Sequence, residues 1–188
     1  MKNAIFPRLL LAAALLLTTS PASAQLDLFA NDPLLDAIKA NNIEEVEKRL
    51  ARGGGTEIGD FDRRTPIIYA ATTGNSDIIE TLLKNRARIE HRDKLGNTAL
   101  FYAASLGNID ALELLIEHGA KLDNENKQGI TPLIEAARNG RLEVVRLLTE
   151  ARADATRRDY TGRTALMWAD WSRKAAVARY LRRTGVRE

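Results

Sequence analysis

The chain has 188 residues with 28 Lys and Arg, 25 Asp and Glu, and no cysteine. The lack of cysteine excludes a disulfide framework, thiol catalysis and thiolate metal sites. Setting aside the N-terminal cations Lys2 and Arg8 lowers the net charge from +3 to +1. This small excess does not indicate a polyanion-binding protein, and we expect no nucleic-acid partner.

The N-terminal segment has the three parts of a secretory signal peptide. Two cations precede an apolar run from Leu9 to Leu17, and small residues follow at 22–24. We predict a signal peptide over 1–24, a mature chain over 25–188, and a periplasmic or secreted location. A membrane-spanning helix needs about 20 apolar residues, so we expect no membrane span in the mature chain. An uncleaved N-terminal anchor is the alternative.

A repeat of 33 residues organises the rest of the chain. It aligns the threonines Thr65, Thr98, Thr131 and Thr164, and the alanines Ala37, Ala70, Ala103, Ala136 and Ala169. The step divides the predicted domain, 25–188, into five units at about 32–59, 60–92, 93–125, 126–158 and 159–188. Such periods are typical of solenoids, in which stacking buries apolar faces that one unit cannot bury alone.

Each unit predicts two helices. A Thr before Pro or Ala suits a helix start, because its hydroxyl can accept a hydrogen bond from a free backbone N–H. A recurring Gly at positions 74, 107 and 140 suits a left-handed residue at the end of that helix. An apolar stripe such as 78, 79, 82 and 83 then indicates one face of a second helix. The fold class is therefore predicted as all-α.

The segments Gly129-x-Thr131-Pro132-Leu133-x-x-Ala136-Ala137 and Val144-Val145-x-Leu147-Leu148 resemble ankyrin repeats. The resemblance implies a solenoid of about five stacked helix-turn-helix units with short β-turn hairpin loops. The usual His after Thr-Pro-Leu is replaced by apolar residues at 68, 101, 134 and 167. Arg86 and Arg152 stand where the family usually has Gly, so we expect those two loops to be less regular.

The resemblance also implies partner binding through hairpin tips and the concave ends of the first helices. The candidate partner-binding residues in those columns are Phe61, Arg64, Lys94, Leu95, Asn97, Leu106, Gln128, Ile130, Arg138, Asn139, Tyr160, Arg163 and Trp171. Exposure of their apolar members at 61, 95, 106, 130, 160 and 171 would suit a protein interface. Trp168 aligns with Tyr69 and Tyr102 and is expected on the core side, whereas Trp171 fits either the C-terminal cap or the surface.

The sequence offers no pattern for catalysis. His91 and His118 are expected to be surface residues, since neither lies near a repeated Ser or acidic column. Two distant histidines cannot form a closed metal site, and no phosphate loop follows a strand. We therefore predict a protein that is not an enzyme and that uses no metal or cofactor.

Two binding functions remain open. The first is a monomeric periplasmic scaffold that binds and protects or positions a periplasmic or membrane-facing protein. Some exported bacterial ankyrin proteins act in oxidative stress, so the resemblance implies a stress-related role. The alternative is an immunity or inhibitor protein that occludes a secreted toxin or hydrolase. The net charge varies along the units, from −4 over 93–125 to +4 over 159–188. These charges either form solvated faces and ion pairs between units, or steer a partner of matching charge.

Overall fold

The computed structural model describes residues 32–185, and the predicted signal peptide lies outside them. The described residues form five pairs of helices and no strand. The pairs are α1 (Pro33–Lys39) with α2 (Ile43–Ala51), α3 (Pro66–Thr73) with α4 (Ser76–Lys84), α5 (Ala99–Leu106) with α6 (Ile109–Glu117), α7 (Pro132–Asn139) with α8 (Leu142–Glu150), and α9 (Ala165–Trp171) with α10 (Ala175–Arg183). None of these helices is long and apolar enough to cross a membrane.

The pairs stack in chain order into a solenoid with two layers. The first helices α1, α3, α5, α7 and α9 pack closely in a row, while the second helices contact one another less extensively. The alanine pairs at 70–71, 103–104 and 136–137 have no exposed surface, so the first helices can approach closely. The all-α, five-unit solenoid expected from the repeat is confirmed.

Most first helices start as the sequence predicts. Thr98, Thr131 and Thr164 each accept a hydrogen bond from the backbone N–H three residues on, and Asp32 accepts two. Thr65 makes no such bond, and its hydroxyl oxygen is buried without a partner among the described residues. The Thr column therefore positions helix starts even where the hydroxyl does not cap the helix.

The loops at Arg86 and Arg152 are regular, so the expectation of irregularity was wrong. Their φ angles are +65° and +70°, in the same left-handed region as Gly119 at +81°. In all three loops the left-handed residue and its successor donate to carbonyls three and five residues earlier, respectively. Backbone hydrogen bonds and a buried alanine after each residue hold the turn, although arginine adopts it less readily than glycine.

Carboxylates link successive units on the loop side. Glu57 accepts a hydrogen bond from the backbone N–H of Arg88 at 2.8 Å, and Glu90 accepts one from Lys121 at 2.8 Å. One unit later, Asp123 accepts from the N–H of Asp154 at 3.0 Å. Each bond joins residues 31 apart, so it fixes the spacing between units rather than the shape of one unit.

The hairpins are joined by backbone hydrogen bonds. Three amide groups donate to the preceding hairpin: Lys94 N–H to Asp62, Lys127 N–H to Leu95, and Tyr160 N–H to Gln128, at 2.8, 2.9 and 3.0 Å. These bonds hold the hairpin tips in one line along the solenoid, parallel to the row of first helices.

Candidate protein-binding surface

An Asp or Asn at the start of each hairpin shapes the surface. One carboxylate oxygen of Asp159 accepts from the backbone N–H groups of Thr161 and Arg163 at 2.9 and 3.0 Å. Asp93 and Asn126 make the equivalent pair of bonds in their hairpins. These Asp and Asn side chains therefore hold the hairpin backbone in place, and the backbone sets the direction of the hairpin side chains.

The second oxygen of each Asp holds an aromatic side chain from the first helix. The three bonds are Tyr69 to Asp60 at 2.7 Å, Tyr102 to Asp93 at 2.6 Å, and the Trp168 indole N–H to Asp159 at 2.7 Å. Each ring is partly buried. Three aromatic rings thus stand at equivalent positions of the second, third and fifth units.

Burial and hydrogen bonding shift the pKa values of Tyr69, Tyr102 and Asp159. Burial, together with donation to Asp60, raises the pKa of Tyr69 to about 12. Burial, together with donation to Asp93, likewise raises the pKa of Tyr102. Burial would raise the pKa of Asp159, but hydrogen bonds from Thr161, Arg163 and Trp168 outweigh it and lower that pKa. The raised pKa values keep the Tyr69 and Tyr102 hydroxyls protonated, and so able to donate, at neutral pH.

Cations lie beside these rings. Lys39 lies 4.8 Å from the centroid of Tyr69, and Arg64 lies 5.6 Å from that of Tyr102. Arg138 and Arg163 lie 5.5 and 5.2 Å from Trp168. Such cation–π contacts add stability and hold long side chains in place. We call this set the aromatic–cation row; it comprises Lys39, Arg64, Tyr69, Tyr102, Arg138, Arg163, Trp168 and Trp171.

The fourth unit interrupts the row with an acid. Glu135 occupies the position of the rings and is only 5% exposed. It accepts hydrogen bonds from Ser105, Arg138 and Asn139 at 3.2, 3.0 and 3.0 Å. Asn139 also donates to the Ser105 hydroxyl at 3.1 Å. Two predicted contact residues, Arg138 and Asn139, are therefore engaged in a structural network and are only partly exposed.

Five of the six apolar residues predicted to be exposed are exposed. The exposed fractions are 75% for Phe61, 57% for Leu95, 43% for Leu106, 73% for Tyr160 and 69% for Trp171. Gln128 is exposed as well, while Lys94 is partly covered because its ammonium lies 3.3 Å from the Phe61 ring centroid. These side chains form two lines, one along the hairpin tips and one at the ends of the first helices.

Two predicted surface residues are buried, so their assignment was wrong. Ile130 is 5% exposed and belongs to the hydrophobic core. Asn97 is also 5% exposed, and its side-chain oxygen accepts a hydrogen bond from Asn126 at 3.0 Å. They share a repeat column with Arg64 and Arg163. Side chains in that column run across the first helices, so a short one is covered and only arginine reaches the surface.

The histidines are far apart in the repeat and differ in exposure. His118 is exposed, and its Nδ1 lies 2.9 Å from the Leu114 carbonyl. His91 is partly buried, with Nε2 3.0 Å from the Arg63 carbonyl and Nδ1 3.8 Å from Glu57. It lines a cleft of about 410 Å³ with Phe61 and Lys94. Residues 32–185 contain no cluster of three or more His, Asp or Glu that could hold a metal.

Trp168 packs against the core together with Tyr69 and Tyr102, as expected, and all three rings are only partly buried. The sequence did not predict a surface role for these three rings or for Lys39. The signal was present, because each ring follows the hairpin acid by nine residues in the second, third and fifth units. Trp171, for which the cap and the surface were both open, is largely exposed. Its ring packs edge-on against that of Trp168, with the centroids 5.4 Å apart.

Fold and surface together define an all-α repeat protein with a row of aromatic and cationic side chains that Glu135 interrupts in the fourth unit. A family model described as ankyrin repeats (three copies) matches residues 8–93, 34–127, 87–159 and 122–187. The chain belongs to the ankyrin repeat family. A search of curated proteins finds no match. Ankyrin repeats generally mediate protein–protein interaction, and proteins built from them are typically binding scaffolds without enzymatic activity.

Proposed function

We propose that this protein is an exported scaffold that binds a partner protein through the aromatic–cation row and the hairpin tips. The row carries this proposal, because aromatic residues and arginine are the side chains that protein interfaces concentrate. Its members are already held by hydrogen bonds and ring contacts, so binding need order few side chains.

The rigid frame beneath the row supports a scaffold. The hairpin-to-hairpin bonds and the carboxylate links fix neighbouring units relative to one another. A partner would therefore meet a preformed surface about five units long. A long surface with its exposed apolar residues distributed from Phe61 to Trp171 suits a scaffold that protects or positions its partner.

A second candidate is the immunity or inhibitor protein. The observation that favours it is the compact group of Trp168, Trp171 and Arg163 at one end of the row. Tight inhibitors concentrate their binding energy in a few such aromatic and arginine anchors. The two functions differ in where substitutions matter: an inhibitor loses binding at this one group, whereas a scaffold loses it gradually along the row.

The N-terminal sequence supports a partner outside the cytoplasm. The basic, apolar and small-residue parts of 1–24 support export, and with it a periplasmic or secreted location. The proposal includes a monomeric state, and its role in stress rests on the resemblance to exported bacterial ankyrin proteins. The intact mass of protein recovered from the periplasm or medium should correspond to 25–188. A recovered mass that includes 1–24 would contradict the export proposal.

The direct test is capture of a partner from periplasmic extract by tagged mature protein, with crosslinking and mass spectrometry. We expect crosslinks at hairpin tips and at the row, and loss of capture in the double variant F61A/W171A. The matched control is R179A/R183A, which alters exposed residues of α10 outside the row. Equal capture by both variants and the native protein would contradict the proposed surface.

A further inference from the structure

Both tryptophans of the chain lie at one site. Trp168 is held by Asp159 at 2.7 Å, and its ring meets Trp171 edge-on with centroids 5.4 Å apart. Trp171 is 69% exposed, because among the described residues no ring besides that of Trp168 packs against it. A large apolar side chain kept at the surface by a fixed neighbour marks a contact point for another molecule.

Arg163 lies against both indole rings. Its guanidinium is 5.2 Å from the centroid of Trp168 and 5.5 Å from that of Trp171. Among the described residues, its side chain makes one hydrogen bond, donated to the Thr161 hydroxyl at 2.9 Å. Within residues 32–185 none of the ion pairs involves Arg163, whereas its neighbour Arg138 is paired with Glu135 at 2.8 Å. The guanidinium therefore keeps donors available for an incoming acceptor.

The hairpin carboxylate Asp159 does not neutralise that site toward the outside. Asp159 is 5% exposed, and its oxygens already accept bonds from Thr161, Arg163 N–H and Trp168. The wider surroundings are basic, because residues 126–185 contain thirteen Lys and Arg against six Asp and Glu. Residues 32–125 contain twelve against seventeen. The net charge thus changes sign along the solenoid, and this site lies in the positively charged part.

We infer that Trp168, Trp171 and Arg163 form an anchor for an acidic segment of the partner protein, in which a carboxylate neighbours an aromatic or aliphatic side chain. The carboxylate pairs with Arg163, and the apolar side chain covers Trp171. A basic segment is disfavoured, because the indole faces already contact cations of this chain. This inference rests on the proposed function and specifies the partner's chemistry.

Labelled decapeptides test the inference, with the mature protein as the binder. One peptide alternates Asp or Glu with Leu or Phe, a second replaces each acid with Lys, and a third replaces each apolar residue with Ser. Anisotropy gives the affinity, and tryptophan emission reports binding at this site because both tryptophans belong to it. We expect the first peptide to bind most tightly, to change the emission, and to weaken as salt increases.

The matched substitutions are R163Q and R183Q, which remove the same charge at the anchor and on exposed α10. R163Q should weaken binding of the acidic apolar peptide about tenfold, whereas R183Q should change it less than about twofold. Equal effects would overturn the inference, since only the general field would then matter. Comparable binding of the Lys peptide would also overturn it, as would self-association that R163Q abolishes, because the occupant would be a second copy.

The capture experiment separates this inference from the proposed function. A captured partner that crosslinks along the hairpin tips, together with no binding of the acidic apolar peptide, leaves the scaffold in place and overturns the anchor. Absence of any captured protein together with absence of peptide binding overturns both. Peptide binding that R163Q weakens, with crosslinks near Trp171 from an acidic segment of the partner, supports both.

Discussion

Two glycines at the same hairpin position provide a matched test of how tightly the units are stacked. Gly129 and Gly162 have φ angles of +75° and +81°. A Cβ at Gly129 would lie 2.5 Å from Cδ1 of Tyr160 and 2.9 Å from its backbone nitrogen. A Cβ at Gly162 would meet no atom within 4 Å. Substitution by alanine therefore adds the same backbone strain at both positions and a steric clash at only one.

The magnitudes follow from these geometries. A left-handed conformation costs an L-residue about 1–2 kcal/mol, so G162A should lower the free energy of unfolding by about 1 kcal/mol. Overpacking against a neighbour costs about 1–3 kcal/mol more, so G129A should lower it by about 2–4 kcal/mol. The exposed ring of Tyr160 can turn away from the new methyl group, but its backbone nitrogen, 2.9 Å from the added Cβ, is held by the bond to the preceding hairpin at 3.0 Å.

Urea denaturation followed by circular dichroism at 222 nm measures both losses. The dependence of the free energy on urea should be the same in both variants if their unfolded states are alike. In thermal melts each 1 kcal/mol corresponds to about 2–4 °C at this chain length. Equal losses at the two positions would refute the reasoning, because the fifth hairpin would then move freely relative to the fourth.

Three further predictions concern the same frame. R86G and R152G should each raise the free energy of unfolding by about 0.5–1 kcal/mol, because glycine adopts these left-handed turns without strain; a loss in urea denaturation would contradict this. E90A should lower it by about 1–2 kcal/mol by leaving the Lys121 N–H without its acceptor, and an unchanged denaturation midpoint would contradict that link. Tyr69 has a folded pKa of about 12, above its unfolded value of 10.0, so its contribution to stability is present below pH 10 and is lost as pH rises through 12. Ultraviolet titration should show late-ionising tyrosines, because the pKa of Tyr102 is raised as well, and Y69F should remove one of them. A Y69F profile identical to the native one would refute the assignment.

Much of the fold could be predicted because the information is local and repeated. Thr or Asp starts the first helix, Gly ends it, and an apolar stripe follows at helical spacing. Each of these signals acts within one unit and recurs every 33 residues. The column that holds Tyr69, Tyr102 and Trp168 could have been recognised in the same way from the acid nine residues earlier.

The exposure of individual side chains could not be predicted in this way, because it depends on the neighbouring unit. Ile130 and Arg163 share a column, yet Ile130 is covered in the core while Arg163 extends past it to two indole rings. The turns at Arg86 and Arg152 likewise look irregular by residue type, and the backbone bonds around them make them regular.

The sequence by itself determined the repeat, the helix pairs and the family, because their signals lie within one 33-residue unit and recur in the next. Only the tertiary structure decided which side chains of the repeated columns form a surface. Stacking brings residues from adjacent units within a few ångströms, and burial, ring contacts and ion pairs at that distance depend on both partners at once. The anchor at Trp168, Trp171 and Arg163 arises from that packing.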